Sequence, residues 1–223
     1  MKRTIQIKVC GLTEAKMAAA CAALEIDAVG LVFYPPSPRF VSDVRAEEIA
    51  AAVNGRAAVI GVFVDTPPEV ILKKAERCGL TGVQLHGHET PADVTRLRNT
   101  GLTVIKALFH KKEPSFQTFS RYGPSAFLLE CGKGRLPGGT ARVWDWGDAQ
   151  AVAARAPVIL AGGLTPENVG QAVALGRPQA VDISSGVETS PGKKDLFKIE
   201  AFVSAVATIV PNDGEEKTRR IFQ

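Results

Sequence analysis

Four side chains in this sequence stand where their chemistry is usable: Cys10, Arg39, His86 and Glu130. Three of them end, or directly follow, a short, largely apolar run. Cys10 closes the run from Thr4 to Val9 and precedes Gly11. A lone cysteine is usually a small buried hydrophobe. Lys8, however, lies two residues back and so shares its strand face, and a neighbouring ammonium favours a thiolate, which can abstract a proton as well as attack carbon. Asp182, in a later run, could pair with Lys8 and mute that effect. Cys21 and Cys78 fall in helical stretches and read as structural. Glu130 follows Phe127-Leu128-Leu129, and a carboxylate directly after a buried run is partly desolvated, which raises its pKa toward that of a general acid; a solvated strand-end carboxylate is the other reading. Arg39 sits on the proline-stiffened Pro35-Pro36-Ser37-Pro38 loop, where its fork could clamp a carboxylate bidentately or face solvent. His86 and Asp65 are weaker candidates, able to fix a loop or to touch a substrate.

Two further segments suit an anion. Ala161-Gly162-Gly163-Leu164 and Ser184-Ser185-Gly186 each follow a short apolar run. Glycines let the backbone approach an anion closely, and helix N-termini supply oriented N–H donors. The plainer reading is that these glycines only turn the chain.

Positioning these groups falls to a repeating pattern. Strands are expected at 4–10, 28–33, 58–64, 82–85, 103–108, 126–130, 157–161 and 179–184. Helices are expected at about 14–25, 45–54, 67–78, 91–99, 114–121, 146–155, 166–174 and 194–210. Thr66-Pro67-Pro68-Glu69 reads as a capping box, and Thr90-Pro91 and Thr165-Pro166 repeat the cap-then-proline signal. Eight strands separated by helices imply a parallel α/β sheet closed into a single (β/α)8 TIM barrel, whose active site lies at the C-terminal strand ends and whose last two loops commonly hold phosphate. The barrel is expected to span 1–210, followed by a charged, loosely ordered tail over 211–223.

Composition narrows the classes. The 223 residues are 45% hydrophobic and 22% charged, with a net charge of +4 and no long basic run, so neither nucleic acid nor membrane is an expected partner. The N-terminus lacks a signal-peptide core, and nowhere do 18 apolar residues run together. The four cysteines form no Cys-x-x-Cys pair and no metal-like spacing with the three histidines. A cytoplasmic protein without a metal site is expected.

These segments, taken in order, resemble the phosphoribosylanthranilate isomerase family. The matching stretches are Lys8-Val9-Cys10-Gly11-Leu12-Thr13, Asp27-Ala28-Val29-Gly30 through Phe33-Tyr34-Pro35, Ser37-Pro38-Arg39, Gly61-Val62-Phe63-Val64 and Val83-Gln84-Leu85-His86-Gly87. Ala161-Gly162-Gly163-Leu164-Thr165-Pro166-Glu167-Asn168-Val169, Val181-Asp182-Ile183-Ser184-Ser185-Gly186-Val187-Glu188 and Pro191-Gly192-Lys193-Lys194-Asp195 complete the set. Each is weak alone; the ordered set is specific. The resemblance implies a cofactor-free Amadori rearrangement of N-(5-phosphoribosyl)anthranilate in tryptophan biosynthesis; the expected assembly is a monomer or homodimer. The resemblance makes Cys10 the general base, and it makes Arg39 the holder of the anthranilate carboxylate. Gly162, Gly163, Ser184, Ser185 and Gly186 would be the phosphate site, while His86 stays a candidate substrate contact on the residue reading above. The chain departs from the family twice. Glu130 stands where an aspartate acid is usual, and Gly138-Gly139-Thr140-Ala141 ends in alanine rather than glycine.

Two other readings fit less of the sequence. A different phosphate-binding barrel isomerase would call for paired carboxylates or metal ligands at strand ends. A barrel that had lost its acid and only bound a phosphorylated ligand would keep the loops and change the acid.

Overall fold

Strands buried on both faces, with successive residues joining alternate cores, and apolar stripes on the helices give two cores and one closed sheet. In the computed structural model, which describes residues 4–132, 144–209 and 220–222, the strands are β1 (Gln6–Cys10), β2 (Ala28–Val32), β3 (Ala58–Phe63), β4 (Gly82–Leu85), β5 (Thr103–Phe109), β6 (Ala126–Glu130), β7 (Val158–Ala161) and β8 (Ala180–Ile183). All neighbours are parallel, and β8 pairs with β1 to close the barrel. The helices are α1 (Ala15–Ala23), α2 (Asp43–Val53), α3 (Pro68–Arg77), α4 (Pro91–Arg98), α5 (Gln150–Ala153), α6 (Val169–Gly176) and α7 (Leu196–Ala207). A short antiparallel pair, β9 (Glu188–Ser190) and β10 (Lys193–Lys194), lies between β8 and α7. No helix among the described residues is long and apolar enough to cross a membrane.

Alternation assigns each strand residue to a core. On β6, Phe127 and Leu129 join the outer cluster beneath the helices, whereas Ala126 and Leu128 join the barrel interior with Ile60, Ile105 and Ile159. Glu130 continues the inward face, so the same period that buries Leu128 aims the carboxyl into the mouth. Between β5 and β6, residues 116–121 form a 3₁₀ turn rather than the expected α-helix. Gln-Thr-Phe-Ser adds little helix propensity, and Pro114 and Pro124 bracket it. The segment 146–155 likewise begins as a 3₁₀ turn before the single turn of α5.

The caps divide. Thr90 and Asp93 form a reciprocal capping box on α4. Thr66 does not cap α3, which starts one residue later with Pro67 at the cap, and its hydroxyl donates to Val64 O instead. At α6 the cap position is Asn168, whose side-chain oxygen accepts from Thr165 N–H at 2.8 Å.

Most of the 211–223 tail lies outside the described residues. The part described is docked rather than loose. Ile221 and Phe222 are buried with the barrel-interior cluster. Gln6 Nε2 donates to Phe222 O at 2.8 Å, Ile221 N–H donates to Gln6 Oε1 at 2.6 Å, and Arg220 pairs with Asp27. These residues fill the end of the barrel opposite the site. Deleting residues 220–223 is expected to cost about 2–4 kcal/mol of apolar burial and to lower Tm by roughly 5–15 °C. An unchanged melting curve in scanning calorimetry would show that the segment adds no stability.

Candidate active site

The inward face of β1 carries three polar residues in a row: Gln6 at the base, Lys8 in the middle and Cys10 at the mouth. The register sets Lys8 opposite Asp182 on β8 and Cys10 opposite Gly30 on β2. Lys8 Nζ, fully buried, donates to Asp182 Oδ1 at 2.9 Å. Gly30 makes room for both neighbours, because a Cβ there would lie 2.7 Å from Cys10 Sγ and 3.0 Å from Lys8 Nζ. The thiolate expected from the nearby ammonium is not favoured at rest. Burial pushes the Cys10 thiol up and outweighs Lys8 and Lys194, while Asp182 adds to the rise.

Glu130 faces Cys10 across the same cavity. Burial first, then repulsion from Asp182, raises its carboxyl to about 7, against the pull of Lys112 and Lys8. Such a group holds a donatable proton near neutrality. Beyond β4, His86 Nε2 lies 3.7 Å from Glu130 Oε2. Burial and the lysines Lys106, Lys8 and Lys112 push the imidazole down to about 3 and keep it neutral. Gln84 Nε2 lies 2.8 Å from His86 Nδ1.

Opposite them, the β7 and β8 loops meet. Gly162 and Gly163 take positive φ values of 89° and 70°, and Asn168 Nδ2 donates to Gly163 O at 2.8 Å. A Cβ on Gly186 would lie 2.0 Å from Leu164 O, so only glycine allows the two loops to touch. Lys194, from β10, donates to Ser184 Oγ at 3.2 Å and to Glu188 Oε1 at 2.7 Å.

Arg39 is buried, and the fork expected to clamp a ligand is already engaged. Its Nε donates to Glu188 Oε1 at 2.8 Å and its Nη2 to Glu188 Oε2 at 2.7 Å. Burial pushes the Glu188 carboxyl up, but hydrogen bonds from Arg39 and Lys194 outweigh it and hold it below the usual range. Nη1 stays outside that bidentate pair.

Cys10, Arg39, His86 and Glu130 line one solvent-open cavity, together with Gly162, Gly163 and Ser184–Gly186. Asp65 does not line it. It has a positive φ of 50°, and its carboxylate accepts from His88 N–H at 2.5 Å, so it fixes the β3 loop. Sequence reasoning gave no role to Gln84, Glu188 or Lys194. Gln84 was detectable, since it lies two residues before His86 on the inward face of a four-residue strand. Glu188 and Lys194 had no such signal, because their contacts depend on how β9 and β10 fold back. The loop ending Gly138-Gly139-Thr140-Ala141 lies outside the described residues.

A closed parallel barrel with a buried thiol, a protonatable carboxyl and two touching glycine/serine loops at its C-terminal mouth has the architecture of a (β/α)8-barrel enzyme. The family described as N-(5'-phosphoribosyl)anthranilate (PRA) isomerase matches residues 7–205, and the chain belongs to that family. An N-(5'-phosphoribosyl)anthranilate isomerase of Desulfatibacillum aliphaticivorans is 51% identical over 199 residues, covering 89% of this chain and 91% of the relative. One of Rubrobacter xylanophilus is 45% identical over 202 residues, covering 90% and 98%. The solved phosphoribosyl anthranilate isomerase of Thermus thermophilus superposes with a TM-score of 0.84 at 33% identity, over 92% of this chain and all (100%) of that one. A solved isomerase in complex with reduced 1-(o-carboxyphenylamino)-1-deoxyribulose 5-phosphate gives 0.79 at 34% identity, over 91% and 98%.

Proposed function

We propose that this protein converts N-(5-phosphoribosyl)anthranilate to 1-(2-carboxyphenylamino)-1-deoxyribulose 5-phosphate in tryptophan biosynthesis, with Glu130 as general acid and Cys10 as general base. The observation that carries this reading is that a proton-holding carboxyl and a thiol face one cavity beside two anion-type loops. Glu130 protonates the furanose ring oxygen, the bond from that oxygen to C1 breaks, and C1 becomes a Schiff base with the anthranilate nitrogen. Cys10 then takes the C2 proton, and the resulting enolamine tautomerises to the ketone. No electron leaves the substrate, so the scheme needs no redox partner.

Binding follows charge and reach. The substrate phosphate lies against Gly162, Gly163 and Ser184–Gly186, with Lys194 behind the β8 loop. Arg39 turns its remaining Nη1 edge toward the anthranilate carboxylate, while Glu188 fixes its plane. The product analogue bound by the solved relative carries the same two groups, a phosphate and an aryl carboxylate. A monomer or homodimer in the cytoplasm completes the proposal, and four free, buried cysteines suit a reducing compartment. Phosphoribosylanthranilate supplied to the purified protein should lose its anthranilate fluorescence at a rate proportional to enzyme. No loss above the uncatalysed rate would reject the activity.

A further inference from the structure

Two buried polar atoms beside Glu130 have no partner: Gln84 Oε1 and His86 Nε2. Burying such a group without a hydrogen bond is costly unless another state of the molecule uses it. His86 is 5% exposed and Gln84 is 1% exposed. The Phe109 ring packs edge-on against the imidazole, with centroids 5.5 Å apart at 76°.

The tautomer follows from Gln84. An amide NH2 group 2.8 Å from Nδ1 makes that nitrogen the acceptor, and a neutral imidazole then carries its proton on Nε2. That nitrogen lies 3.7 Å from Glu130 Oε2, beyond hydrogen-bond length. A protonated carboxyl at that distance has little need of a donor. A carboxylate does, and glutamate has one more rotatable bond than aspartate with which to reach it.

Resting on the acid reading of Glu130, we infer that His86, held by Gln84 as its Nε2–H tautomer, is a positioning residue that receives the Glu130 carboxylate after proton donation. The proton goes from Glu130 to the ring oxygen, the C1–oxygen bond breaks, and the carboxylate moves onto His86 Nε2–H. The imidazole gives up no proton. Among the described residues, the other groups that act on Glu130 are Asp182, Lys112 and Lys8. Lys8 and Asp182 are committed to each other, Cys10 is a weak donor on the base side, and Lys112 lies beyond β5 near the Phe109 ring. Lys106, which acts on His86 from beneath, is bound to Glu89 Oε2 at 2.8 Å.

The test combines two His86 variants with a Glu130 variant. Gln places an amide N–H near the Nε2 position and Met does not. His86→Met should lower kcat about 10²-fold, the scale of a misplaced catalytic group, and move the lower break of the kcat/KM–pH profile upward. His86→Gln should restore most of both. In a Glu130→Gln background, His86→Met should cost nothing further. In the wild-type protein, ¹⁵N shifts of His86 should show Nε2 protonated and Nδ1 bare. If Glu130→Gln is impaired and His86→Met still costs the same factor in that background, His86 acts on the substrate or the fold, and this inference falls while the acid reading stands. Full turnover in Glu130→Gln would remove the acid reading itself. A protonated Nδ1 would also overturn the inference without using an activity assay.

Discussion

Glu130→Gln is expected to lower turnover by about 10²–10⁴-fold, the usual worth of a positioned proton donor, with little change in KM. The variant keeps the shape of the side chain and removes the proton. Glu130→Ala should match it, since both lack the acid. Glu130→Asp keeps the proton but draws the carboxyl back by one methylene. In a site where a shift on the order of 1 Å costs about 10²-fold, it should fall by less than the glutamine variant. An aspartate variant faster than wild type would mean that this chain has only partly adjusted to the longer acid. A glutamine variant as fast as wild type would move the acid elsewhere. Asp65 is not the next choice, because its carboxylate is bound to His88 N–H and lies outside the cavity. Asp182, which lines the cavity, would then be the carboxyl to test.

The barrel was legible because eight short apolar runs, buried on both faces, alternate with helical stretches. Every strand from β1 to β8 falls at an expected position, with ends that differ by no more than two residues. Catalytic-end geometry came with it. Once a strand is placed, its last inward residue must point into the mouth, which located both Cys10 and Glu130. What sequence could not supply was the balance between neighbours. Lys8 near Cys10 suggested a thiolate that Asp182 could mute; that pair forms at 2.9 Å, and the burial that outweighs what remains was not legible. Arg39 looked free to clamp a ligand, but Glu188 lies 149 residues on in the chain and occupies its fork. Long-range pairs of this kind leave no periodic trace. The docked Ile221-Phe222 escaped for a related reason. Two apolar residues after a charged stretch read as a tail until the open end of a barrel is there to receive them.

Cys10→Ala is expected to reduce turnover by about 10²–10⁴-fold with KM nearly unchanged. Cys21→Ala should keep turnover, because Cys21 packs in the outer core away from the cavity. The pH dependence gives a sharper test. The working form needs Glu130 protonated and Cys10 as thiolate, yet Glu130 titrates at about 7 and burial holds Cys10 above its ordinary value of 9.0. Below pH 7, Glu130 is already protonated, so each step up in pH adds thiolate and kcat/KM rises. Between the two ionisations, the gain in thiolate cancels the loss of protonated Glu130, and the profile is flat. Above the Cys10 ionisation, thiolate stops increasing while Glu130–H keeps falling, and kcat/KM drops. The lower break is therefore set by the acid and the upper one by the base. In Glu130→Gln the break near 7 should vanish, and residual activity should keep rising until Cys10 is ionised. If that variant keeps the break near 7, the break belongs to another group. If Cys10→Ala retains the upper break, Cys10 returns to the class of buried structural thiols.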